Sequence, residues 1–444
     1  MSLNRRLMSS PSKANPAPQS ASLSDWLSWL ESFHPKGIDL GLDRVLMVYR
    51  RLFRRAPKGR KIVVAGTNGK GSTVTAIDAL LRASGRTTGA YTSPHIHRYN
   101  ERIAINGVAV DDATIVAAFE AVNAARGNVS LTYFEFGTLA AFYCFAQAGV
   151  DDWVLEVGLG GRLDAVNVVD ADLAIITAVD LDHMDWLGPD RESVGYEKAG
   201  ILRHGRPAVC ADPEPPASVL QQASAQKVAL IRLGVDFSVS TGDASTGPTP
   251  VVRSQSLGRT VRLPASSLPV TSLATAVQAI WMLEPAVADE KLAQALQTLR
   301  LAGRWEQLAS EPTIVCDVGH NPHAARWLAQ RLEALKAAAP GKISVLAVYG
   351  ALADKDSPGV AAALANVVDQ WFLAGLDHIP RGLSDQALKE RLAEPLLGKD
   401  VQIGGSVAKA LDAARQAARA EDVIIAFGSF FLVAEARDAL ASFS

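Results

Sequence analysis

A glycine-rich loop with one lysine is the first stretch of this sequence that could do chemistry. It reads Gly66-Thr67-Asn68-Gly69-Lys70-Gly71-Ser72 and lies between the β-forming run 61–65 and an amphipathic helical pattern. Such a loop turns backbone N–H groups and a helix N-terminus toward a polyphosphate, and the lysine neutralises charge. The strict nucleotide-loop pattern would have glycine at Val64 and a hydroxyl residue at Gly71. For the loop alone, a plain glycine turn therefore remains a minority alternative.

Three further polar side chains follow predicted strands. Ser93 comes after the strand 87–91, Glu156 lies in the strand 153–158, and His183 comes after the strand 173–179. Ligands bind at the carboxyl ends of parallel strands, and a hydroxyl, a carboxylate and an imidazole there could hold Mg²⁺, although Mg²⁺ prefers oxygen. Alone, Glu156 could equally pair with an arginine, and His183 would be a structural histidine. With the phosphate loop they favour a metal–nucleotide site.

A second group of polar residues occurs in the C-terminal third. Asp317 and His320 follow the predicted strand 313–318, where they could contact a ribose hydroxyl and a phosphate, and Arg304 could contact a polyphosphate. A structural turn at Asn321-Pro322 would explain this cluster equally well. Lys198 closes a predicted helix, and by itself it would be a surface lysine.

The elements that must position these residues alternate between strand and helix. This order predicts an α/β fold: an N-terminal P-loop-type, doubly wound, mostly parallel sheet domain with a small β appendage at 237–263, followed by a smaller C-terminal Rossmann-like α/β domain. We predict the domains to be residues 1–299 and 300–444. The strands expected in the second are 313–318, 343–349, 370–374 and 423–427.

Composition excludes several classes of protein. The chain has 444 residues, of which 48% are hydrophobic, and a formal net charge of −2. It therefore gives no electrostatic reason to expect a nucleic acid or an anionic membrane as partner. The three cysteines lie in separate apolar runs, typical of buried thiols in a reducing compartment. With no secretory signal and no long apolar run, we expect a cytoplasmic protein.

Taken together, the motifs resemble those of the bacterial bifunctional dihydrofolate synthase/folylpolyglutamate synthase family, within the Mur ligase superfamily. The resemblance covers roughly residues 25–440. The matching segments are 66–72, 93–95, 131–135, 156–164, 182–188, 197–201, 303–304, 317–322, 354–356 and 427–430.

The resemblance implies roles for individual residues. It implies that Lys70, Lys198 and His183 are catalytic, that Lys198 is carbamylated, and that ATP binds with two Mg²⁺ ions and a monovalent cation. Magnesium would be held by Ser93, Glu156 and His183. ATP would be bound by Thr67, Asn68, Gly69, Lys70, Gly71, Ser72, Ser272, Arg304, Asp317 and His320. The pterin substrate would contact Ile38, Asp39, Leu40, Thr132, Tyr133, Phe134, Glu135, Leu163, Asp164 and Ala165.

One position departs from the family. The segment Ser272-Leu273-Ala274 stands where the family usually has Asn-Ala-Ala near the adenine. A serine can still form a hydrogen bond but reaches less far, so we expect this contact to be altered.

The implied activity is ATP-dependent addition of L-glutamate to dihydropteroate, and of further γ-linked glutamates to reduced folates, by a monomer. One of the two activities alone is the alternative. A cell-wall Mur ligase, with a UDP-sugar peptide as acceptor, and a regulatory protein that binds ATP without ligating anything are the other hypotheses.

Overall fold

The computed structural model describes residues 17–18, 21–34, 39–240 and 249–441. Its largest sheet has eight strands in the spatial order β4-β3-β2-β5-β1-β6-β7-β8. The six strands from β2 to β8 are parallel, and β3 and β4 form an antiparallel hairpin at one edge. The strands are β1 (Arg60–Ala65), β2 (Thr88–Tyr91), β3 (Ile103–Ile105), β4 (Val108–Ala109), β5 (Asp152–Glu156), β6 (Leu173–Ile176), β7 (Pro207–Cys210) and β8 (Ala229–Arg232).

Helices cover both faces of this sheet. The central strands can be continuous apolar runs because both faces are buried, and Ile62, Val63 and Val64 have no exposed surface. The helices are α1 (Leu23–Phe33), α2 (Asp43–Leu52), α3 (Lys70–Ala83), α4 (Asp112–Arg126), α5 (Tyr133–Ala148), α6 (Met184–Leu187), α7 (Arg191–Ala199), α8 (Ala217–Ala225), α9 (Val270–Leu283) and α10 (Asp289–Gln297). Helices α1, α2, α4 and α5 share one hydrophobic core, and α3, α9 and α10 share the other.

The predicted β appendage is a three-stranded antiparallel sheet. Its strands are β9 (Phe237–Ser240), β10 (Val251–Ser254) and β11 (Arg259–Arg262), in the order β11-β10-β9. Phe237 and Val252 are fully buried in the same core as α3 and α9, so the appendage packs on that face of the large sheet.

The C-terminal part contains a six-stranded sheet in the order β12-β13-β17-β14-β15-β16, parallel except for β12. Its strands are β12 (Glu306–Ser310), β13 (Thr313–Asp317), β14 (Val345–Tyr349), β15 (Gln370–Ala374), β16 (Asp400–Gly405) and β17 (Val423–Phe427). Its helices are α11 (Pro322–Ala338), α12 (Ser357–Leu364), α13 (Asp385–Arg391), α14 (Val407–Ala417) and α15 (Phe430–Ala441). They pack on both faces, so the predicted α/β class is confirmed for both parts of the chain.

Several predicted elements differ in extent. The strands expected at 153–158 and 173–179 end at Glu156 and Ile176, because the residues that follow leave the sheet as loops. Strands β7, β8, β12 and β16 were not predicted. Of these, β8, β12 and β16 lie at sheet edges, where half-exposed residues give little hydrophobic pattern.

The domain boundary at 299/300 stays a prediction; it falls between α10 and β12. The cysteines Cys144, Cys210 and Cys316 are buried free thiols. Within the described ranges, no helix is long and apolar enough to cross a membrane.

Candidate functional site

The glycine-rich loop connects β1 to α3 and is held from behind by the residues that follow β6. The backbone N–H of Thr67 donates to the carbonyl of Ala178 over 2.8 Å, and the Thr177 hydroxyl donates to the carbonyl of Asn68 over 2.7 Å. Gly69, the residue before α3, has a φ of +83°, a conformation that L-residues with a side chain rarely adopt. These contacts fix the shape of the loop, which leads directly into the N-terminus of α3.

Lys70 curls back over this loop. Its ammonium donates to the carbonyls of Gly66 and Thr67, over 2.9 and 3.3 Å. Burial lowers the pKa of Lys70, while the nearby carboxylates of Glu156 and Asp182 oppose that shift. A half-buried cation whose hydrogen-bond partners among the described residues are carbonyl oxygens is well placed to receive phosphate oxygens.

One cavity of about 250 Å³ lies between the phosphate loop and the C-terminal sheet. It brings together all the residues that the sequence predicts for nucleotide, metal and catalysis. They are Thr67, Asn68, Gly69, Lys70, Gly71, Ser72, Ser93, Glu156, His183, Lys198, Ser272, Arg304, Asp317 and His320.

Glu156 is the buried carboxylate of this cavity. Its Oε2 accepts a hydrogen bond from the backbone N–H of Ser93 over 3.0 Å, and only 4% of the residue is exposed. Burial raises the pKa of Glu156, and the positive charge of Lys70 partly offsets this. Gly71 lies beside this carboxylate, since a Cβ on it would lie 3.4 Å from the same Oε2. Among the described residues no cationic side chain forms an ion pair with Glu156.

These features fit a divalent cation. Glu156 is a buried carboxylate with no ion-pair partner among the described residues, and it lies next to Ser93 and close to the phosphate loop. It offers the oxygen ligands that Mg²⁺ prefers. No three His, Cys, Asp or Glu side chains within the described ranges are grouped closely enough to hold a metal. A metal at this site would therefore complete its coordination with water and phosphate oxygens.

Lys198 is buried, contrary to its reading as a surface lysine. It is 2% exposed near the end of α7, and its ammonium makes no hydrogen bond or ion pair with the described residues. Burial, reinforced by the charge of Lys70, lowers the pKa of Lys198 to about 7. A substantial fraction of this side chain is thus a neutral amine at neutral pH.

Asp182 joins the two sides of the cavity, and the sequence did not assign it a role. Its carboxylate accepts from the Lys355 ammonium over 2.7 Å and from the Asn321 amide over 3.2 Å, and lies 3.6 Å from His320 Nε2. Burial favours a raised pKa, but the His320 contact and the Lys355 charge outweigh it and hold the pKa of Asp182 well below its usual range. The sequence contained a sign of this role, because Asp182 lies next to His183 in the matching segment 182–188 and Lys355 lies in the matching segment 354–356.

Asn68 of the phosphate loop makes a second link to the C-terminal side. Its side-chain amide and that of Asn321 hydrogen-bond each other reciprocally, at 3.0 Å in both directions. Asn321 also caps the N-terminus of α11 by accepting from Ala324 N. The loop is thus connected to the first turn of α11.

The predicted nucleotide residues of the C-terminal side are held in place by backbone contacts. Both oxygens of Asp317 accept backbone N–H groups, from Trp305 at 2.9 Å and Gly319 at 2.7 Å. His320 donates from Nδ1 to the carbonyl of Val318 over 2.9 Å, which leaves Nε2 facing Asp182. The Arg304 guanidinium lies 5.5 Å from the centre of the Phe430 ring.

Ser272 and His183 complete the predicted set of cavity residues. The Ser272 hydroxyl lies on α9, 3.5 Å from the carbonyl of Gly69, so it touches the phosphate loop itself. His183 has a φ of +52° and directly precedes α6, and burial lowers its pKa to about 4. Its ring is therefore neutral and can act as a ligand.

Where the structure describes them, the residues predicted for the pterin lie outside this cavity lining, and we call these described residues the pterin wall. Thr132 and Glu135 cap α5 reciprocally, and Arg44 bridges both oxygens of Glu135 to the carboxylate of Asp39. Tyr133 and Phe134 are half-buried, and a Cβ on Gly158 would lie 2.5 Å from the Phe134 ring.

The second half of this wall follows β5. Asp164 accepts from the backbone N–H groups of Leu159 and Val166, each over 2.9 Å, and burial raises its pKa to about 7. Its neighbours Leu163 and Ala165 are half-buried and buried, Leu40 is half-buried, and Ile38 lies outside the described residues.

Family models match both parts of the chain. The Mur ligase middle domain matches residues 64–242, and the Mur ligase glutamate ligase domain matches residues 303–430. The chain is 43% identical over 424 residues to the dihydrofolate synthase/folylpolyglutamate synthase of Escherichia coli (strain K12), covering 95% of this chain and 97% of that one. It is 38% identical over 432 residues to the protein of the same name from Haemophilus influenzae, covering 93% and 96%.

Solved structures agree with this relationship. E. coli FolC in complex with DHPP and ADP is similar with a TM-score of 0.89 and 42% identity, over 96% of this chain and 99% of that one. The bifunctional folylpolyglutamate synthase/dihydrofolate synthase from Yersinia pestis, complexed with AMPPNP and Mn ion, has a TM-score of 0.87 and 41% identity, over 96% and 100%. A further structure of such an enzyme, with Mn, AMPPNP and L-glutamate bound, has a TM-score of 0.85 and 41% identity, over 96% and 100%.

The sequence identity extends over nearly the full length, and family models match both parts of the chain. The cavity, built around a phosphate loop and buried charges, points to the same kind of protein. The chain belongs to the dihydrofolate synthase/folylpolyglutamate synthase family and is an ATP-dependent amide ligase of the Mur ligase type.

Proposed function

We propose that this protein adds L-glutamate to dihydropteroate, forming dihydrofolate, and adds further γ-linked glutamates to reduced folates. The observation that carries the proposal is the single cavity in which the phosphate loop, Glu156 and Lys198 meet the C-terminal residues Arg304 and Asp317. Support for the substrates comes from relatives of the same full length, whose solved complexes contain DHPP, ADP and L-glutamate.

The reaction runs in two steps. The γ-phosphoryl group of ATP passes to the acceptor's carboxylate, giving an acyl phosphate and ADP. The α-amine of L-glutamate then attacks the acyl carbon, the new C–N bond forms, and phosphate leaves with the electrons of the C–O bond while the amine nitrogen loses a proton. Because little covalent work falls to the protein, its residues act by positioning and by charge compensation.

In this proposal the phosphate loop, Thr67 to Ser72, holds the ATP phosphates. Lys70 offsets charge at the transferring phosphoryl group. Arg304, Asp317, His320 and Ser272 hold the rest of the nucleotide. Closure of the C-terminal side excludes water that would hydrolyse the acyl phosphate.

Ser93, Glu156 and His183 would hold Mg²⁺, which supplies further charge neutralisation next to the phosphates; we propose two such ions and a monovalent cation. Lys198 would be carbamylated: its neutral amine adds to CO₂ with loss of a proton. The buried cation then becomes an anion that helps order the metal site. The low pKa of Lys198, caused by its burial, supports this proposal.

The pterin would contact Ile38, Asp39, Leu40, Thr132 to Glu135, and Leu163 to Ala165. This assignment is supported by the position of Phe134 against Gly158, two residues beyond Glu156. We further propose a cytoplasmic monomer, and light scattering during size-exclusion chromatography tests the oligomeric state.

The deciding experiment measures phosphate release with ATP, Mg²⁺ and L-glutamate, comparing dihydropteroate with tetrahydrofolate as acceptor. We expect release with both. Release with one acceptor only would reduce the proposal to a single activity, and release with neither would refute it. A UDP-sugar peptide serves as the control for a cell-wall ligase, and ATP binding without acceptor-dependent turnover would indicate a regulatory protein.

A further inference from the structure

Arg102 is a buried arginine close to the site, and its charge has no acidic partner among the residues that the structure describes. It ends the 3₁₀ turn Tyr99–Arg102 and is 9% exposed. Its Nε donates to Nδ1 of His95 over 2.8 Å. Its guanidinium carbon lies 5.4 Å from the centre of the Tyr99 ring and 5.8 Å from that of Tyr133.

The two terminal nitrogens of this guanidinium have no hydrogen-bond acceptor among the described residues. Within the described ranges, no carboxylate lies within ion-pair distance of Arg102, and Nη1 and Nη2 donate no hydrogen bond. The adjacent Glu101 does not serve it, because its carboxylate accepts the backbone N–H groups of Ile96, His97 and Arg98. Buried arginines are almost always paired, so this one points to an anion supplied from outside the chain.

The surroundings of Arg102 connect it with the acceptor rather than with the nucleotide. It contacts His95 in the loop that also carries Ser93, whose N–H donates to Glu156. On its other side is Tyr133, the first residue of α5 and a member of the proposed pterin wall. Arg102 does not line the nucleotide cavity. It thus lies between the proposed metal carboxylate and the proposed pterin wall.

The chemistry of the two acceptors suggests what the anion is. Dihydropteroate has a single carboxylate, and that group must reach the γ-phosphoryl group of ATP. A folate acceptor ends in a glutamate with two carboxylates, of which the γ-carboxylate reacts and the α-carboxylate does not. A planar guanidinium with free terminal nitrogens matches such a carboxylate with two parallel hydrogen bonds.

We propose that Arg102 binds the non-reacting α-carboxylate of the folate acceptor's terminal glutamate and thereby favours folates over dihydropteroate. The inference rests on the proposed function and names a specificity-determining residue within it. A purely structural arginine, held by its stacking on Tyr99 and Tyr133, would instead affect both acceptors alike.

The test compares two variants with a matched control. Arg102→Met keeps the volume and the ring contacts but removes the charge. Arg102→Lys keeps the charge but removes the planar guanidinium that can form two parallel hydrogen bonds with a carboxylate. Arg98→Met is the control, because Arg98 lies four residues earlier, 71% of its side chain is exposed, and it lies 3.4 Å from Asp112. Calorimetry measures the dissociation constants of tetrahydrofolate and dihydropteroate, and thermal unfolding checks each variant's fold.

We expect Arg102→Met to weaken tetrahydrofolate binding about 10- to 100-fold and to weaken dihydropteroate binding at least tenfold less. Arg102→Lys should lie between wild type and Arg102→Met, and it carries the test if the methionine variant does not fold. Equal losses for both ligands, or unchanged tetrahydrofolate binding, would overturn the inference, as would a wild type that does not bind tetrahydrofolate. A wild type that binds tetrahydrofolate through Arg102 but never releases phosphate would refute the proposed function alone.

Discussion

The two sides of the cavity carry their charges in opposite ways. On the phosphate-loop side, Lys70 contacts only carbonyl oxygens, and Glu156 and Lys198 have no ion-pair partner among the described residues. On the C-terminal side, Asp317 accepts two backbone N–H groups and Lys355 is paired with Asp182.

This difference indicates that the phosphate-loop side carries the chemistry and that the C-terminal side mainly holds the two parts together. Buried charges without partners cost free energy, and they persist where a ligand of complementary charge binds. The phosphate-loop side therefore stores charges that a polyphosphate and a metal ion would neutralise. On the C-terminal side Asp317 and Lys355 already have partners, whereas Arg304 lies against the Phe430 ring and can still bind the nucleotide. The main contribution of this side is therefore to dock and close the cavity.

The largest effect should follow from Lys70→Met, which removes the cation of the phosphate loop. We expect kcat to fall about 10³-fold, since a charge aimed at the reacting phosphoryl group is lost. Steady-state phosphate release measures this, and circular dichroism checks that the fold is retained. A loss below about tenfold would mean that the loop side does not carry the chemistry.

Lys198→Ala should lower activity about 10²-fold while the protein remains folded, and short carboxylates such as acetate should restore part of it. In the wild type, activation by bicarbonate should increase from about one pH unit below the pKa of about 7 to one unit above it, because the neutral amine fraction rises. Wild-type turnover by the alanine variant would refute the carbamate. An activation that decreases with pH would do so as well.

Lys355→Met should weaken the contact between the two sides of the cavity. It leaves Asp182 with its charge largely buried and lacking its lysine, so we expect a loss of about 2–3 kcal/mol in the free energy of unfolding. Urea unfolding measures the loss, and the KM for ATP should rise with it. Since Lys355 is proposed here to act through Asp182, Asp182→Asn combined with Lys355→Met should destabilise less than the sum of the two single changes. Additive losses would contradict this coupling.

The smallest effect should come from Arg326→Met, which removes an exposed ion pair between the same two sides. Arg326 lies 2.9 Å from Asp180, and 56% of its side chain is exposed. Exposed pairs contribute little, so stability should change by at most about 0.5 kcal/mol and turnover should stay at the wild-type level. A loss of stability as large as that of Lys355→Met would mean that burial does not decide how much the two ion pairs contribute.

Local pattern in the sequence predicted the phosphate loop, the α/β class and most of the residues that meet in the cavity, whereas the roles of Lys198 and Ser272 came only from the family resemblance. Glycines, strand-end polar residues and apolar runs can be read from neighbours along the chain. The burial of Lys198 could not be read in this way, since the environment that lowers its pKa includes Lys70, which is distant in sequence.

Residues whose partners lie on another element were missed for the same reason. Asp182 depends on Lys355, and Arg102 owes its isolation to Glu101 being used by the backbone. Edge strands such as β16 were missed because half of their side chains face solvent and give no clear period.

Several contacts between the two sheets share one group, the carboxylate of Asp182. Its single carboxylate receives Lys355 and Asn321 and faces His320. Groups that share one acceptor cannot leave it independently, because each departure raises the electrostatic cost of keeping the others in place. Separation of the two sides should therefore be cooperative, with the cavity either joined across this carboxylate or released from it as a whole.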